Sequence, residues 1–233
     1  MAAEDDDTGE YASPACFMHE VDPTYFGLSP RGGPLQKTDV MRWRKSERAR
    51  LINDRLDMSV SARRRNADHI AEKLDATIGD VLGRIVSAYW PLRGEPDLRE
   101  WLERVASRGG RYALPVVVER HAPLVFCTWR HGEKLGRGVW NIPVPTAGEE
   151  VCPDVVIAPV VGYDRNAYRL GYGGGYFDRT LAVIPRRPMT IGVGYSQAAI
   201  ATIYPQPHDI PMDKIVTERE IFIPEVKISA AHS

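Results

Sequence analysis

The chain has 233 residues, little cysteine, almost no net charge and no long apolar run. Each shortage removes a class of protein. The three cysteines, Cys16, Cys127 and Cys152, are odd in number and widely spaced. They make neither a disulfide framework nor a zinc site, and read as reduced thiols. No apolar stretch approaches the roughly 20 residues that a membrane-spanning helix requires. The acidic start is the reverse of a signal peptide's basic one, so a cytoplasmic location is expected. A net charge of −1 points to neither a nucleic-acid nor a membrane partner. No internal repeat, Ser-His-Asp set or Gly-Lys-Ser/Thr of a Walker A loop is evident.

What is present is an ordinary globular composition, 43% hydrophobic and 26% charged. Its charge is uneven. Glu4, Asp5, Asp6, Asp7, Glu10, Glu20, Asp22 and Asp39 stand against only Arg31 and Lys37 in residues 1–40, so the rest carries net positive charge. Residues 1–40, broken by Pro14, Pro23, Pro30 and Pro34, are expected to be an acidic, partly disordered extension. Residues 41–233 are expected to form a single α/β domain.

From Asp39 to about Gly79 the apolar spacing is helical, with Ser59 or Ser61 as the cap dividing two helices. Strands are expected over residues 84–90, 112–118, 124–129, 155–161 and 190–195, and short ones near 214–217 and 221–223. Helices are expected around Leu98, Trp101, Leu102 and Val105, and from Phe177 to about Ile184. Residues 140–145 read as irregular. The continuous apolar run 155–161 suits a strand buried on both faces. Alternating strands and helices imply a mostly parallel sheet, with ligands at the carboxyl ends of its strands. The loops after Trp90, Val161 and Tyr195 are candidates for that edge.

The densest signal is Arg169-Leu170-Gly171-Tyr172-Gly173-Gly174-Gly175-Tyr176-Phe177-Asp178-Arg179. Glycines let backbone N–H groups turn inward around an anion, and a helix beginning just beyond adds its dipole. About ten residues separate the strand end from the third glycine, too many for a Rossmann fingerprint. A plain structural turn is the competing reading. The flanking arginines, with forks that suit phosphate, and Asp178, a hard oxygen donor, favour a phosphate cradle.

Val160-Val161-Gly162-Tyr163-Asp164 followed by that run resembles the signature of the 5-formyltetrahydrofolate cyclo-ligase family. Arg44 and Arg48, Tyr89-Trp90-Pro91 with Glu95, Trp140-Asn141-Ile142-Pro143, and His208-Asp209 with Asp213 resemble its other motifs in order and spacing. The resemblance covers about residues 41–225. It implies a three-layer α/β sandwich with a mostly parallel sheet, of the kind shared by sugar-phosphate isomerases and CoA transferases. It also implies an ATP- and Mg²⁺-dependent ligase that converts 5-formyltetrahydrofolate, a reduced folate, to 5,10-methenyltetrahydrofolate with release of ADP and phosphate.

By the same resemblance Arg44, Lys45, Arg48, Arg169, Gly171, Tyr172, Gly173, Gly174, Gly175, Tyr176 and Phe177 bind the nucleotide. Asp178 and Asp209 are magnesium ligands, and Arg169, Tyr176 and Asp178 act in catalysis. Trp90, Glu95, Trp140, Tyr172 and Tyr176 contact the folate. Trp90 and Trp140 read equally well as core. Arg42, Arg50, Arg63, Arg64 and Arg65 read as a solvated face, and His208 is given no catalytic role.

Three features depart from the family pattern. Arg44 stands where lysine is usual, Ala167 where glycine is common, and Phe177 where a second tyrosine is common. If the family turn needs a positive φ at 167, alanine would force a different turn there. A non-catalytic folate- or nucleotide-binding relative is the alternative reading, and a sugar-phosphate isomerase on the same fold a third.

Overall fold

The computed structural model describes residues 34–224. Most of the expected acidic extension, with Cys16, lies outside the described residues. Helix α1 (Pro34–Leu56) begins inside that extension, ahead of the boundary expected at residue 41. Proline suits a first helical position, where its missing N–H would be unbonded anyway. Helix α2 (Val60–Ile78) follows, and Ser59 is its N-cap, accepting the Ala62 N–H at 3.2 Å.

Then come β1 (Ile85–Ser87), α3 (Arg99–Ser107), β2 (Arg111–Val116), β3 (Val125–Thr128), β4 (Leu135–Arg137), β5 (Pro143–Pro145) and β6 (Glu150–Val151). The chain continues through β7 (Val155–Pro159), β8 (Gly162–Tyr163), β9 (Arg169–Leu170), α4 (Tyr176–Val183), β10 (Met189–Val193), β11 (Lys214–Val216) and β12 (Ile221–Phe222). The main sheet has eight strands in the order β12-β11-β10-β7-β1-β2-β3-β6. From β11 to β2 the neighbours are parallel, whereas β12 pairs antiparallel with β11, β3 with β2 and β6 with β3.

Residues 140–145 are not simply irregular. There β5 pairs antiparallel with β4, Leu135 opposite Pro145 and Arg137 opposite Pro143. Two prolines, which lack a ladder donor, hide this short hairpin from a propensity reading.

Strand β7 shows why the sheet is covered twice. Val155 and Ile157 pack with Ile70, Leu74 and Ile78 of α2 and Trp101, Leu102 and Val105 of α3. The alternate residues face the opposite side: Val156 meets Phe177 and Ile184, while Ala158 joins Leu51 and Ile52 of α1. Helices thus lie on both faces of the sheet, giving three layers. Because β1, β7 and β10 run parallel side by side, the chain leaves all three at one edge. Glu95 follows β1, the glycine loop follows β7, and the segment carrying Asp209 follows β10. No helix among the described residues is long and apolar enough to cross a membrane.

Candidate active site

A small hairpin launches the glycine loop. Strands β8 and β9 pair as Gly162 with Leu170 and Tyr163 with Arg169. Asp164, 1% exposed, organises their turn. Its Oδ1 accepts the N–H groups of Asn166 and Tyr168, and its Oδ2 accepts that of Ile203. Ala167 sits in this turn at φ 58°, fully buried. Alanine adopts the left-handed conformation here, so a positive φ at this position does not force a different turn. Its N–H bonds the Asp164 carbonyl and its carbonyl accepts the Met212 N–H.

The glycines do specific work beyond β9. Gly173 and Gly175 have φ of 100° and 64°, and Gly175 is the N-cap of α4. A Cβ on Gly174 would stand 2.8 Å from the Tyr176 ring, so that ring lies directly over the loop. Arg169, 8% exposed, donates from Nη2 to Asp178 Oδ2 at 2.9 Å. Its buried Nε has no partner, an open donor beside the loop. Asp178 Oδ1 accepts the Ile210 N–H at 3.2 Å, which ties the first turn of α4 to the residue after Asp209. Phe177 has its ring 5.3 Å from the Arg169 guanidinium and packs into two core clusters. Tyr176 carries Arg179 over its face at 4.8 Å and Trp140 edge-on at 5.4 Å. Trp140 is therefore a half-buried neighbour of the loop rather than core, and it holds a left-handed φ of 55°.

Helix α1 delivers a row of arginines to the same place. Arg44 spans Asp209, donating from Nη1 to Oδ1 and from Nη2 to Oδ2. It also donates to the carbonyls of Ile203 and Tyr204, both at 2.9 Å. Lys45, one residue on, is exposed. Arg48 donates from Nε to the Gly171 carbonyl at 2.6 Å, and its two Nη groups make no hydrogen bond among the described residues. Burial, then the neighbouring Arg44, lowers its pKa to about 10, so it stays charged at neutral pH. His208 stands 3.9 Å from Asp209, and burial is the main cause of its lowered pKa.

Glu95 lies buried against Tyr172 of the loop and is 6% exposed. Its Oε2 accepts the Leu92 N–H at 2.8 Å, and its Oε1 is buried without a partner. Burial pushes the carboxyl up to about 7; Arg55, the Leu92 N–H and the Tyr172 hydroxyl oppose that rise. Tyr172, from the glycine loop, thus stands between Arg55 and this carboxyl. Trp90 packs partly into the core, edge-on to Trp129 at 5.7 Å, with the Arg99 guanidinium over one face at 5.0 Å. Stacking on a heterocycle would have to use its other face.

Sequence reasoning missed Arg55, 4% exposed, and gave Asp164 no role. The signal for Arg55 was there. Arg44, Arg48 and Arg55 recur with Leu51 and Ile52 at the spacing of a helix's buried stripe. Among the presumed solvated arginines, Arg42, Arg50, Arg64 and Arg65 are exposed, while Arg63 is half-buried and donates to the Leu56 and Met58 carbonyls.

No group of three or more His, Cys, Asp or Glu side chains suited to a metal occurs among the described residues. Asp178 and Asp209 nevertheless suit Mg²⁺ shared with phosphates. That ion keeps several waters and needs one or two carboxylates. Each carboxylate also has acceptor capacity beyond the bonds described. The unpartnered Arg169 Nε and the Arg48 Nη groups suit the anion.

The family described as 5-formyltetrahydrofolate cyclo-ligase matches residues 40–218. A 5-formyltetrahydrofolate cyclo-ligase of Mycolicibacterium smegmatis is 31% identical over 150 residues, covering 60% of this chain and 76% of the relative. The protein of that name from Escherichia coli is 28% identical over 149 residues, covering 61% and 82%. The solved structure of Aquifex aeolicus 5,10-methenyltetrahydrofolate synthetase superposes with a TM-score of 0.67 at 26% identity, covering 82% of this chain and 99% of the other.

Proposed function

The chain belongs to the 5-formyltetrahydrofolate cyclo-ligase family, and on that premise we propose that it closes 5-formyltetrahydrofolate to 5,10-methenyltetrahydrofolate at the expense of ATP, with Mg²⁺. The observation that carries this reading is the meeting of an anion-ready loop with a buried carboxylate: Tyr172 belongs to the first and stands against the second.

The chemistry asks for alignment and charge neutralisation more than for a protein nucleophile. The formyl oxygen attacks the γ-phosphorus, a P–O bond forms, and the bond to ADP breaks. The neighbouring folate amine then attacks the formyl carbon. A C–N bond forms, the C–O bond breaks, phosphate leaves, and the amine proton passes to solvent.

In this reading the backbone around residues 171–177 cradles the triphosphate. The Arg48 Nη groups and Arg169 Nε, both available as donors, neutralise its oxygens. Asp178 and Asp209 would hold Mg²⁺, which offsets phosphate charge when bound. Glu95 Oε1, desolvated and unpartnered, would accept N–H donors of the pterin. Tyr176, with Trp140 against it, would wall the space between the phosphates and the folate. Arg44 is committed to Asp209 and its loop, so its part in nucleotide binding is indirect.

The test is a spectrophotometric assay with purified protein. Methenyl absorbance should appear in step with ADP, only when 5-formyltetrahydrofolate, ATP and Mg²⁺ are all present. Tight folate binding without ADP formation would instead identify a non-catalytic relative, and ATP-independent turnover of a sugar phosphate a different enzyme.

A further inference from the structure

The proposed reaction leaves one buried charge without a part. Arg55 lies in the last turn of α1 and is 4% exposed. Its Nε donates to the Arg93 carbonyl at 2.9 Å, and its Nη2 donates to the Tyr172 hydroxyl at 2.7 Å. Arg93 belongs to the turn that presents Glu95, and Tyr172 to the glycine loop. One guanidinium therefore joins the two loops.

The Glu95 turn needs such an anchor. Arg93 and Gly94 are both left-handed, with φ of 46° and 78°. A non-glycine residue at positive φ persists only where its surroundings over-determine it. The Glu95 N–H closes the turn onto the Leu92 carbonyl. From outside, Arg55 holds the Arg93 carbonyl and the Tyr195 hydroxyl holds that of Gly94 at 3.1 Å. The charged and titratable groups around Glu95 and its turn are Arg55 from α1, Arg63 from α2, Tyr89 after β1, Tyr172 from the glycine loop and Tyr195 after β10, on which Glu218 after β11 acts in turn. Arg63 approaches Gly94, whereas Arg55 is the cation acting on Glu95 itself.

We propose that Arg55 is a positioning residue that locks the Glu95 turn to the glycine loop, holding the folate pocket and the phosphate cradle in one register. This rests on the proposed function. Lysine cannot replace Arg55, because a point charge cannot reach a carbonyl and a hydroxyl in fixed directions at once. Arg55 has a second, electrostatic effect: it opposes the rise in the Glu95 pKa that burial causes.

The test compares wild type with Arg55→Lys, Arg55→Met and Tyr172→Phe. Folate affinity is measured between pH 5.5 and 8.5 by fluorescence quenching, kinetics by the assay above, and melting temperature alongside. Arg55→Lys should raise KM for both 5-formyltetrahydrofolate and ATP by about tenfold while leaving the acid limb of folate binding in place. Arg55→Met should move that limb to higher pH by about one unit. Tyr172→Phe should raise both KM values, should move the limb to higher pH by less than Arg55→Met does because its hydroxyl also lowers the Glu95 pKa, and should add nothing further to either KM in the Arg55→Met background.

Wild-type KM values in Arg55→Lys and Tyr172→Phe, or an unmoved limb in a folded Arg55→Met, would overturn the inference. If Arg55→Met does not fold, the other two variants decide it. A wild-type protein that binds folate but forms no ADP would count against the proposed function alone, and the binding profiles would still test the role of Arg55.

Discussion

Arg44 and Asp209 form a two-pronged ion pair in which the side chains are only 14% and 10% exposed. It fastens helix α1 to the segment before β11. Because the same guanidinium also holds the Ile203 and Tyr204 carbonyls, this segment is pinned at three points. Lysine could not make that set of bonds.

Loss of this pair should therefore cost stability before it costs chemistry. Arg44→Met leaves Asp209 largely buried without its cation and should destabilise the fold by roughly 3 kcal/mol. Arg44→Lys should cost about half as much, since the charge remains and the fork is lost. If Asp209 holds Mg²⁺ as proposed, the ion of Mg-ATP would replace the lost positive charge at the carboxylate, so Mg-ATP should raise the melting temperature of Arg44→Met more than that of wild type. Thermal melts with and without Mg-ATP measure both effects. An Arg44→Met protein that melts like wild type would show that the ion pair does not hold this segment.

Asp178 pairs with Arg169 at 2.9 Å, with side-chain exposures of 10% and 6%. Asparagine keeps the shape and the acceptor for the Ile210 N–H but removes the charge. Asp178→Asn should lower kcat by about 100-fold or more and raise the Mg²⁺ concentration needed for half-maximal rate, effects on the scale of losing one electrostatic stabiliser. The remaining buried Arg169 should also cost roughly 2 to 4 kcal/mol of stability. Mg²⁺ titrations of turnover check the first effect and denaturant melts the second. Unchanged kinetics at both saturating and limiting Mg²⁺ would remove Asp178 from the proposed ligands.

Glu95 imposes a pH dependence whose sign is unusual for a carboxylate. Its folded pKa is about 7 against an ordinary 4.5, raised mainly by burial. Between these values the folded state holds the proton more tightly than the unfolded chain, so stability falls as pH rises through the window. Above pH 7 the full penalty applies, on the order of 3 kcal/mol. Glu95→Gln should flatten that slope, gaining on wild type between pH 5 and 8, yet bind the folate more weakly. Melting curves across that range test this, and a wild-type stability that does not fall from pH 5 to 8 would contradict it.

These residues differ in how far the sequence disclosed them. The glycine loop and Asp178 were legible because their signal is local: glycine at positions that need positive φ, next to a helix start. The sheet was legible through β7, whose unbroken apolar run means burial on both faces. Arg55 was not, because its partners Arg93 and Tyr172 lie 38 and 117 residues away and only folding brings them together. The Arg44 pairing with Asp209 was hidden for the same reason, across 165 residues. The β4–β5 hairpin escaped notice because Pro143 and Pro145 mask its strand signal.

Ala167 offers a sharper test of the turn that launches the loop. Its left-handed conformation costs alanine roughly 1 kcal/mol. Glycine would relieve that strain. It would also give up a fully buried methyl worth about 0.8 kcal/mol and add about 0.4 to 1 kcal/mol of unfolded-chain entropy. The terms nearly cancel, so Ala167→Gly should shift the melting temperature only slightly and leave kcat/KM near wild type. Valine is different, because a β-branched side chain is a true outlier at positive φ and this position is fully buried. Ala167→Val should cost more than about 2 kcal/mol and raise KM for ATP, because the Asp164 turn sets where Arg169 enters the loop. Paired melts and kinetics on the two variants decide the matter. A gain of tenfold or more in kcat/KM for Ala167→Gly would mean that alanine distorts the loop after all, and that the turn does not hold its working geometry in this chain.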